Sequence, residues 1–133
     1  METIIERRKR VRDAMRKYRA RHPDRVKKSR LIQYNKRKER AFLIIGGAVC
    51  KKCGCDELSF LEFNHKNGGG CQEHRRNHGT PIMDRILSKK RDVTDLECLC
   101  RVCNAIDYLS KKNPEAAKKY KVIYTGQKAQ CLK

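Results

Sequence analysis

Apolar residues near the start of the chain recur at the spacing of a helix. Four of them form a thin stripe among basic residues and predict an amphipathic helix: Ile4, Val11, Met15 and Tyr18. Pro23 interrupts this stripe, and proline is favoured at the first position of a helix, so we expect a second helix to begin near residue 22 or 23. Apolar positions through Leu31 and Tyr34 extend this helix toward Phe42.

The pattern changes after Gly46-Gly47, which mark a hinge. Leucine and phenylalanine dominate residues 58–65 and predict a strand, which the glycine-rich residues 67–70 end. Residues 71–79 are polar and basic, so we expect them to form an exposed loop.

Three further helices and a second strand are expected downstream. Thr80-Pro81 is an N-cap signal, and it precedes a short amphipathic helix over residues 82–91. Residues 95–99 predict the second strand, and residues 103–112 predict a helix. A short helix near residues 115–121 follows. The chain is therefore expected to belong to the α+β class.

The domain organisation predicted from these patterns has three parts. A basic helical arm occupies residues 1–41, a compact unit occupies residues 42–112, and a C-terminal tail occupies residues 113–133. A length of 133 residues suits a single domain with an appendage.

The chain carries a strong positive charge. Its 34 Lys and Arg residues outnumber its 15 Asp and Glu residues, and the net charge of +19 indicates a polyanionic partner. Residues 1–40 hold 17 of the basic residues beside interleaved tyrosines, so we expect this arm to bind nucleic acid; a solvated, partly disordered arm is the alternative. The candidate contacts to nucleic acid are Arg8, Arg12, Arg16, Arg19, Lys27, Arg30, Arg37, Arg75 and Arg76.

An anionic membrane would be another polyanionic partner, and the hydropathy argues against it. The longest apolar run covers residues 41–45, far short of the roughly 20 residues of a spanning helix. No apolar segment typical of a signal peptide is visible near the N-terminus. We therefore expect a protein that is not secreted and works in a reducing compartment, such as the cytoplasm of a bacterial or phage-infected cell. In such a compartment, eight cysteines are more typical of metal binding than of disulfide bonds.

Four of these cysteines form two C-x-x-C pairs, Cys50 with Cys53 and Cys100 with Cys103. Four thiolates complete a closed structural zinc site, and a small chain poor in apolar residues is short of other stabilisation. The 46 intervening residues (54–99) exceed the spacing of a zinc ribbon or finger, so a whole supersecondary unit lies between the pairs. Reduced, unligated cysteines are the alternative. Competing ligands would be Cys55 and Cys98, and the expected free thiols are Cys71 and Cys131.

The cysteine pairs frame a second pattern. Asn64-His65 ends the first predicted strand before the glycine-rich loop, and Asn104 follows Cys103 directly at a helix start. Over residues 50–112, just over half of the chain, this combination resembles the HNH, or ββα-metal, endonuclease family. The matching subset has two zinc-binding C-x-x-C pairs and includes phage junction-resolving and homing endonucleases. The resemblance implies a zinc-stapled ββα-metal unit that hydrolyses phosphodiester bonds in duplex or branched DNA, with RNA a less favoured substrate.

The resemblance also implies roles for single residues. His65 matches the general base that activates the attacking water. Asn104 and Asn64 match the protein ligands of a catalytic Mg²⁺ or Mn²⁺ ion. His74 is the candidate for a phosphate contact or an additional metal ligand, and Asp95 stands where the family has a mainly structural residue.

Asn64 departs from the family pattern, which has an aspartate at this position. Two neutral amides predict weak metal affinity in the free protein, because magnesium prefers carboxylate oxygen. Strand alternation also points Asn64 and His65 to opposite faces unless the strand bends. The alternatives to an active endonuclease, nicking or cutting both strands, are a degenerate nuclease or a non-catalytic zinc module that binds DNA or RNA. Monomer and homodimer are both open.

Overall fold

The structure is a computed structural model that describes residues 2–126. This part of the chain contains six helices and a two-stranded antiparallel sheet, in agreement with the α+β class. In chain order the elements are α1 (Ile4–Arg21), α2 (Pro23–Ile44), β1 (Leu61–His65), α3 (Gly70–Arg76), α4 (Ile82–Leu87), β2 (Leu96–Cys100), α5 (Arg101–Lys112) and α6 (Pro114–Ala117). Among the described residues, no helix combines the length and the apolar character needed to cross a membrane. Cys131 lies outside the described residues.

The chain divides into two compact units, Met1–Tyr34 and Asn35–Lys133. In the first unit, α1 begins with a capping box in which Thr3 and Glu6 satisfy each other's backbone N–H groups. The residues of α1 are not buried, and its predicted apolar stripe is exposed. The predicted start of the second helix at Pro23 is confirmed. The predicted boundary after residue 41 lies inside α2.

The second unit has a small apolar core to which α2, α4 and the sheet contribute. From α2, Phe42 is fully buried and stacks on Phe63 of β1 with ring centroids 4.3 Å apart. The other large side chains that are fully buried are Leu61, Ile86, Leu96 and Leu99. Each such side chain stabilises the fold by about 1.5–3 kcal/mol. Five large buried side chains make a modest core, so a further source of stability is expected.

The register of the sheet places Cys100 at one end and His65 at the other. Leu61 of β1 pairs with Cys100 of β2, and His65 pairs with Leu96. The last residue of β1 is therefore about 13 Å from the end of the sheet where Cys100 leads into α5.

Several predicted boundaries are wrong. The loop expected over residues 71–79 contains α3, and the helix expected over residues 82–91 ends at Leu87. Apolar periodicity does not reveal α3. This helix directs Glu73 into the protein, and ion pairs rather than apolar contacts hold that side chain. β1 begins at Leu61 rather than at residue 58, and α6 ends at Ala117.

Candidate functional site

The two C-x-x-C pairs come together in a cysteine cluster formed by Cys50, Cys53, Cys100 and Cys103. Their sulfur atoms all lie within 4.8 Å of one another, a group able to hold a metal ion such as zinc. The Sγ atoms of Cys53 and Cys100 are 3.6 Å apart. Gly54 permits this turn, because its φ of 77° is costly for other residues and its N–H donates to Cys50 O.

The cysteine cluster joins the sheet to α5. Cys100 ends β2 and caps α5, and its sulfur accepts a hydrogen bond from the Cys103 N–H at 3.4 Å. Cys55 and Cys98 are buried in the core nearby, outside the group of four sulfurs, and Cys71 is exposed on α3. The four cysteines singled out from the sequence are therefore the ones that converge.

A cleft of about 990 Å³ runs along β1 and the facing side of α5. Its walls come from the end of β1, the glycine-rich loop, α3 and α5. The lining includes four residues predicted to carry the chemistry: Asn64, His65, His74 and Asn104. The sequence separates these residues by up to 40 positions, and the pairing of β1 with β2 brings the first two toward α5.

His65 is anchored in this cleft through one nitrogen of its ring. Its Nε2 lies 2.5 Å from Oε2 of Glu73, and both side chains are largely buried. The other nitrogen, Nδ1, lies beside Gly70, where a Cβ would come within 2.9 Å of it. Only glycine at residue 70 permits this close approach, and Nδ1 makes no hydrogen bond with the residues that the structure describes.

Glu73 belongs to an ion-pair network with Arg85, Arg91 and Asp95. Arg91 donates to Glu73 through Nε and Nη2, at 2.5 and 2.6 Å, and to both carboxylate oxygens of Asp95 at 2.8 Å. Arg85 Nη1 is 2.5 Å from Glu73 Oε1. Arg91, together with His65 and Arg85, holds the pKa of Glu73 well below its usual range.

His65, Glu73 and Asp95 also satisfy the spacing of a metal site. The guanidinium of Arg91 already occupies both carboxylates, however, and a cation there would have to displace it against charge repulsion. We therefore interpret this group as an ion-pair network that supports His65. Asp95 is part of this network, which agrees with the structural role expected for it.

The two asparagines are tied to carboxylates through their amide nitrogens. Asn64 Nδ2 donates to Glu97 at 2.9 Å and to Asp107 at 3.3 Å, and Asn104 Nδ2 donates to Glu62 at 2.9 Å. Their amide oxygens accept no hydrogen bond from the residues that the structure describes. Both asparagines line the cleft, and the carboxylates of Glu62 and Asp107 lie within hydrogen-bond distance of their amide nitrogens.

Asp107 lines the cleft and forms ion pairs with two lysines. Lys52 and Lys111 each place Nζ 2.6 Å from its carboxylate. Burial raises the pKa of Asp107, but the hydrogen bonds from the two lysines outweigh this effect and lower the value to about 2. The carboxylate is therefore ionised at neutral pH.

Asn64 and His65 line the same cleft, although successive side chains of a strand point to opposite faces of the sheet. Asn64 is buried and reaches across to β2 and α5, whereas His65 is the last residue of β1 and turns toward α3. The chain folds back directly after it, since Gly68 N–H donates to His65 O. The chain therefore turns sharply directly after β1.

The basic residues predicted to contact nucleic acid have different surroundings. Arg75 and Arg76 are exposed on α3, whereas Arg37 on α2 donates to Asp84. Arg16 on α1 lies 3.8 Å from Asp13. The remaining candidates are exposed on α1 and α2: Arg8, Arg12, Arg19, Lys27 and Arg30.

Several residues of the site were missed by sequence reasoning: Glu62, Glu73, Arg85, Arg91 and Asp107. A signal existed for Asp107, because it follows Asn104 by three positions and therefore shares its face of α5. No local pattern connects Glu73 to His65 or to Arg91, which lies 18 residues away.

Replacement of Glu73 by glutamine is expected to destabilise the fold by about 2 kcal/mol at neutral pH, because charge-assisted hydrogen bonds are lost. The folded-state pKa of Glu73 lies below its ordinary value of 4.5, so its contribution is complete above that value and is lost as the pH falls below it. The difference between wild type and variant should be constant above about pH 5 and should shrink below it. Thermal unfolding from about pH 4 to 8, with Glu115→Gln as an exposed control, measures this; a difference that widens in acid would contradict it.

Comparison with protein-family models, with curated proteins and with solved structures finds no match for this chain.

Proposed function

We propose that this protein is a metal-dependent endonuclease of the HNH, or ββα-metal, type that hydrolyses phosphodiester bonds in DNA. One observation carries the proposal: Asn64, His65 and Asn104 line a single cleft, and Nδ1 of His65 has no hydrogen-bond partner among the described residues. The sheet and α5 correspond to the ββα unit of that family. The cysteine cluster, which joins β2 to α5, would hold the structural zinc ion found in the matching subset of that family.

His65 acts as the general base. Nδ1 takes a proton from a water molecule in the cleft as the water oxygen attacks phosphorus, and the bond from phosphorus to the 3′ oxygen breaks. An imidazole suits this step because its ordinary pKa lies close to neutral pH. General bases contribute about 10²- to 10⁴-fold to such reactions.

The donor set of the cleft fits a hard divalent cation. The amide oxygens of Asn64 and Asn104 are unengaged among the described residues. The carboxylates of Glu62 and Asp107 lie beside them and are paired with Arg101 and with Lys52 and Lys111, which a bound cation would have to displace. Oxygen ligands of this kind suit Mg²⁺ or Mn²⁺. When bound, such an ion would supply electrostatic stabilisation of the leaving 3′ oxygen.

The charge of the cleft walls favours a polyanionic substrate. Arg85, Arg101, Lys111 and Lys112 line the cleft around the candidate chemistry. The basic arm adds further positive charge, and the whole chain carries +19. Contacts from these residues to phosphates would hold DNA without reading its sequence.

Plasmid nicking tests the proposal. Purified protein is incubated with supercoiled plasmid in Mg²⁺, in Mn²⁺ and in EDTA. We expect conversion to open-circular or linear DNA with metal and no conversion in EDTA. Binding without cleavage in either metal would contradict the proposal and would favour a non-catalytic zinc module.

Affinity for duplex DNA is expected to fall steeply with salt. A protein that makes about 6 to 10 phosphate contacts loses about 10³- to 10⁵-fold in affinity between 50 and 200 mM salt. Fluorescence anisotropy of a labelled duplex in EDTA measures this dependence. Replacement of Arg8, Arg12 and Arg19 by alanine should reduce the slope, and Lys118→Ala, just beyond α6, should not; equal slopes in all three proteins would remove the role given to the arm.

Replacement of Asn64 by aspartate is expected to tighten Mn²⁺ binding by about tenfold, because a carboxylate is a better ligand than an amide. The metal-free variant should also be less stable, since the introduced carboxylate would face those of Glu97 and Asp107. Titration calorimetry with Mn²⁺ measures the affinity. Asn113→Asp is the matched control outside the cleft, because either side chain caps α6. An unchanged affinity in the residue 64 variant would mean that Asn64 is not a ligand.

A further inference from the structure

We infer that Glu73 is a positioning residue that fixes which nitrogen of His65 carries the ring proton. The inference rests on the proposed function, because it concerns the same histidine. It assigns a task to Glu73, for which the sequence showed no pattern. Glu73 is not among the residues that line the cleft, so it acts through His65 rather than on the substrate.

The surroundings of Glu73 make it a hydrogen-bond acceptor only. Three N–H groups of Arg85 and Arg91 surround its carboxylate at 2.5–2.6 Å. Asp95 holds Arg91 from the other side with two bonds of 2.8 Å. An ionised carboxylate has no proton to donate, and these contacts keep Glu73 ionised.

The consequence for His65 follows from the 2.5 Å separation of its Nε2 from Glu73. Two acceptors do not share a hydrogen bond, so the proton of the neutral ring must be on Nε2. The lone pair is then on Nδ1, which lies beside Gly70 in the lining of the cleft and makes no hydrogen bond with the described residues. Glu73 thus leaves Nδ1 as the basic nitrogen of His65 and holds the plane of the ring.

Glutamine at residue 73 changes this assignment with little change in shape. Its amide N–H can donate to Nε2, which then accepts, and the ring proton moves to Nδ1. In that tautomer the nitrogen facing the cleft cannot take a proton from water. We expect kcat for DNA cleavage to fall about 100-fold or more, with KM unchanged within about twofold.

The test joins NMR to kinetics on the full chain. Long-range ¹⁵N–¹H correlation spectra at mildly alkaline pH identify the protonated nitrogen of His65. We expect Nε2–H in wild type, a shift toward Nδ1–H in Glu73→Gln, and recovery of Nε2–H with partial recovery of kcat in Glu73→Asp. Asp95→Asn controls for a loss of stability. It weakens the hydrogen bonds from Arg91 to residue 95 and leaves the hydrogen bond between His65 and Glu73 intact. This variant should keep the Nε2–H tautomer.

Retention of Nε2–H in Glu73→Gln, or kcat equal to that of wild type, would overturn the inference. A fall in kcat of the same size in Asp95→Asn, without a tautomer change, would also overturn it, since loss of stability would then explain both variants. The spectra decide the tautomer whether or not DNA is cleaved. Absence of cleavage by wild type would therefore count against the proposed function alone, and the inference about the ring proton would be judged separately.

Discussion

Replacement of His65 by alanine is expected to reduce plasmid nicking by about 1,000-fold. The variant loses Nδ1, the ring nitrogen that lies beside Gly70 and has no hydrogen-bond partner among the described residues. It also leaves Glu73 with two arginine partners, so the ion-pair network remains and the fold should persist. Rates of loss of supercoiled plasmid in Mg²⁺ or Mn²⁺ measure the effect.

His78 provides the matched control for this experiment. It is exposed, it does not line the cleft, and its φ of 50° is one that asparagine adopts readily. His78→Asn should therefore nick plasmid at the wild-type rate. Equal nicking by wild type and His65→Ala would remove His65 from the mechanism.

Replacement of Cys103 by serine is expected to abolish cooperative folding of the second unit. Structural zinc sites supply about 10–16 kcal/mol of apparent binding energy, which exceeds the whole stability of most small domains. Cys103 is 1% exposed and lies with the three other cysteines of the cluster, while the apolar core is small. Circular dichroism and thermal unfolding, with zinc content measured by atomic emission, test this.

Wild type should contain one zinc per chain, and prolonged chelation should reproduce the behaviour of Cys103→Ser. Cys71→Ser is the control, because Cys71 is exposed and lies outside the cluster. A Cys103→Ser protein that retains a sharp thermal transition near that of wild type would show that the fold does not depend on the metal.

The sequence indicated the features that short-range chemistry determines. Pro23 marked the start of α2 because proline favours the first position of a helix. The C-x-x-C pairs indicated their own convergence, since two thiolates at this spacing already form half of a metal site. His65 was located at the end of a strand because the following glycines require the chain to turn.

The features that sequence did not indicate depend on long-range polar contacts. Glu73 meets Arg91 and His65 only after the sheet has formed, and no periodic pattern relates their positions. α3 was missed for the same reason, because charged partners rather than apolar ones hold its inward side. The carboxylate of Asp107 lies 3.3 Å from the amide nitrogen of Asn64, a proximity that only the folded structure shows.

The antiparallel register of β1 and β2 must be established in each newly synthesised chain before the cleft can form. With five residues in each strand, the register depends on the buried leucines of the sheet and on the cysteine cluster, which together hold Leu61 opposite Cys100. A slip of one residue would exchange the faces of Asn64 and His65 and dismantle the cleft beside the sheet. Under the proposed function, a chain whose cysteine cluster has not yet acquired a metal would hold this register less firmly and would cut DNA more slowly.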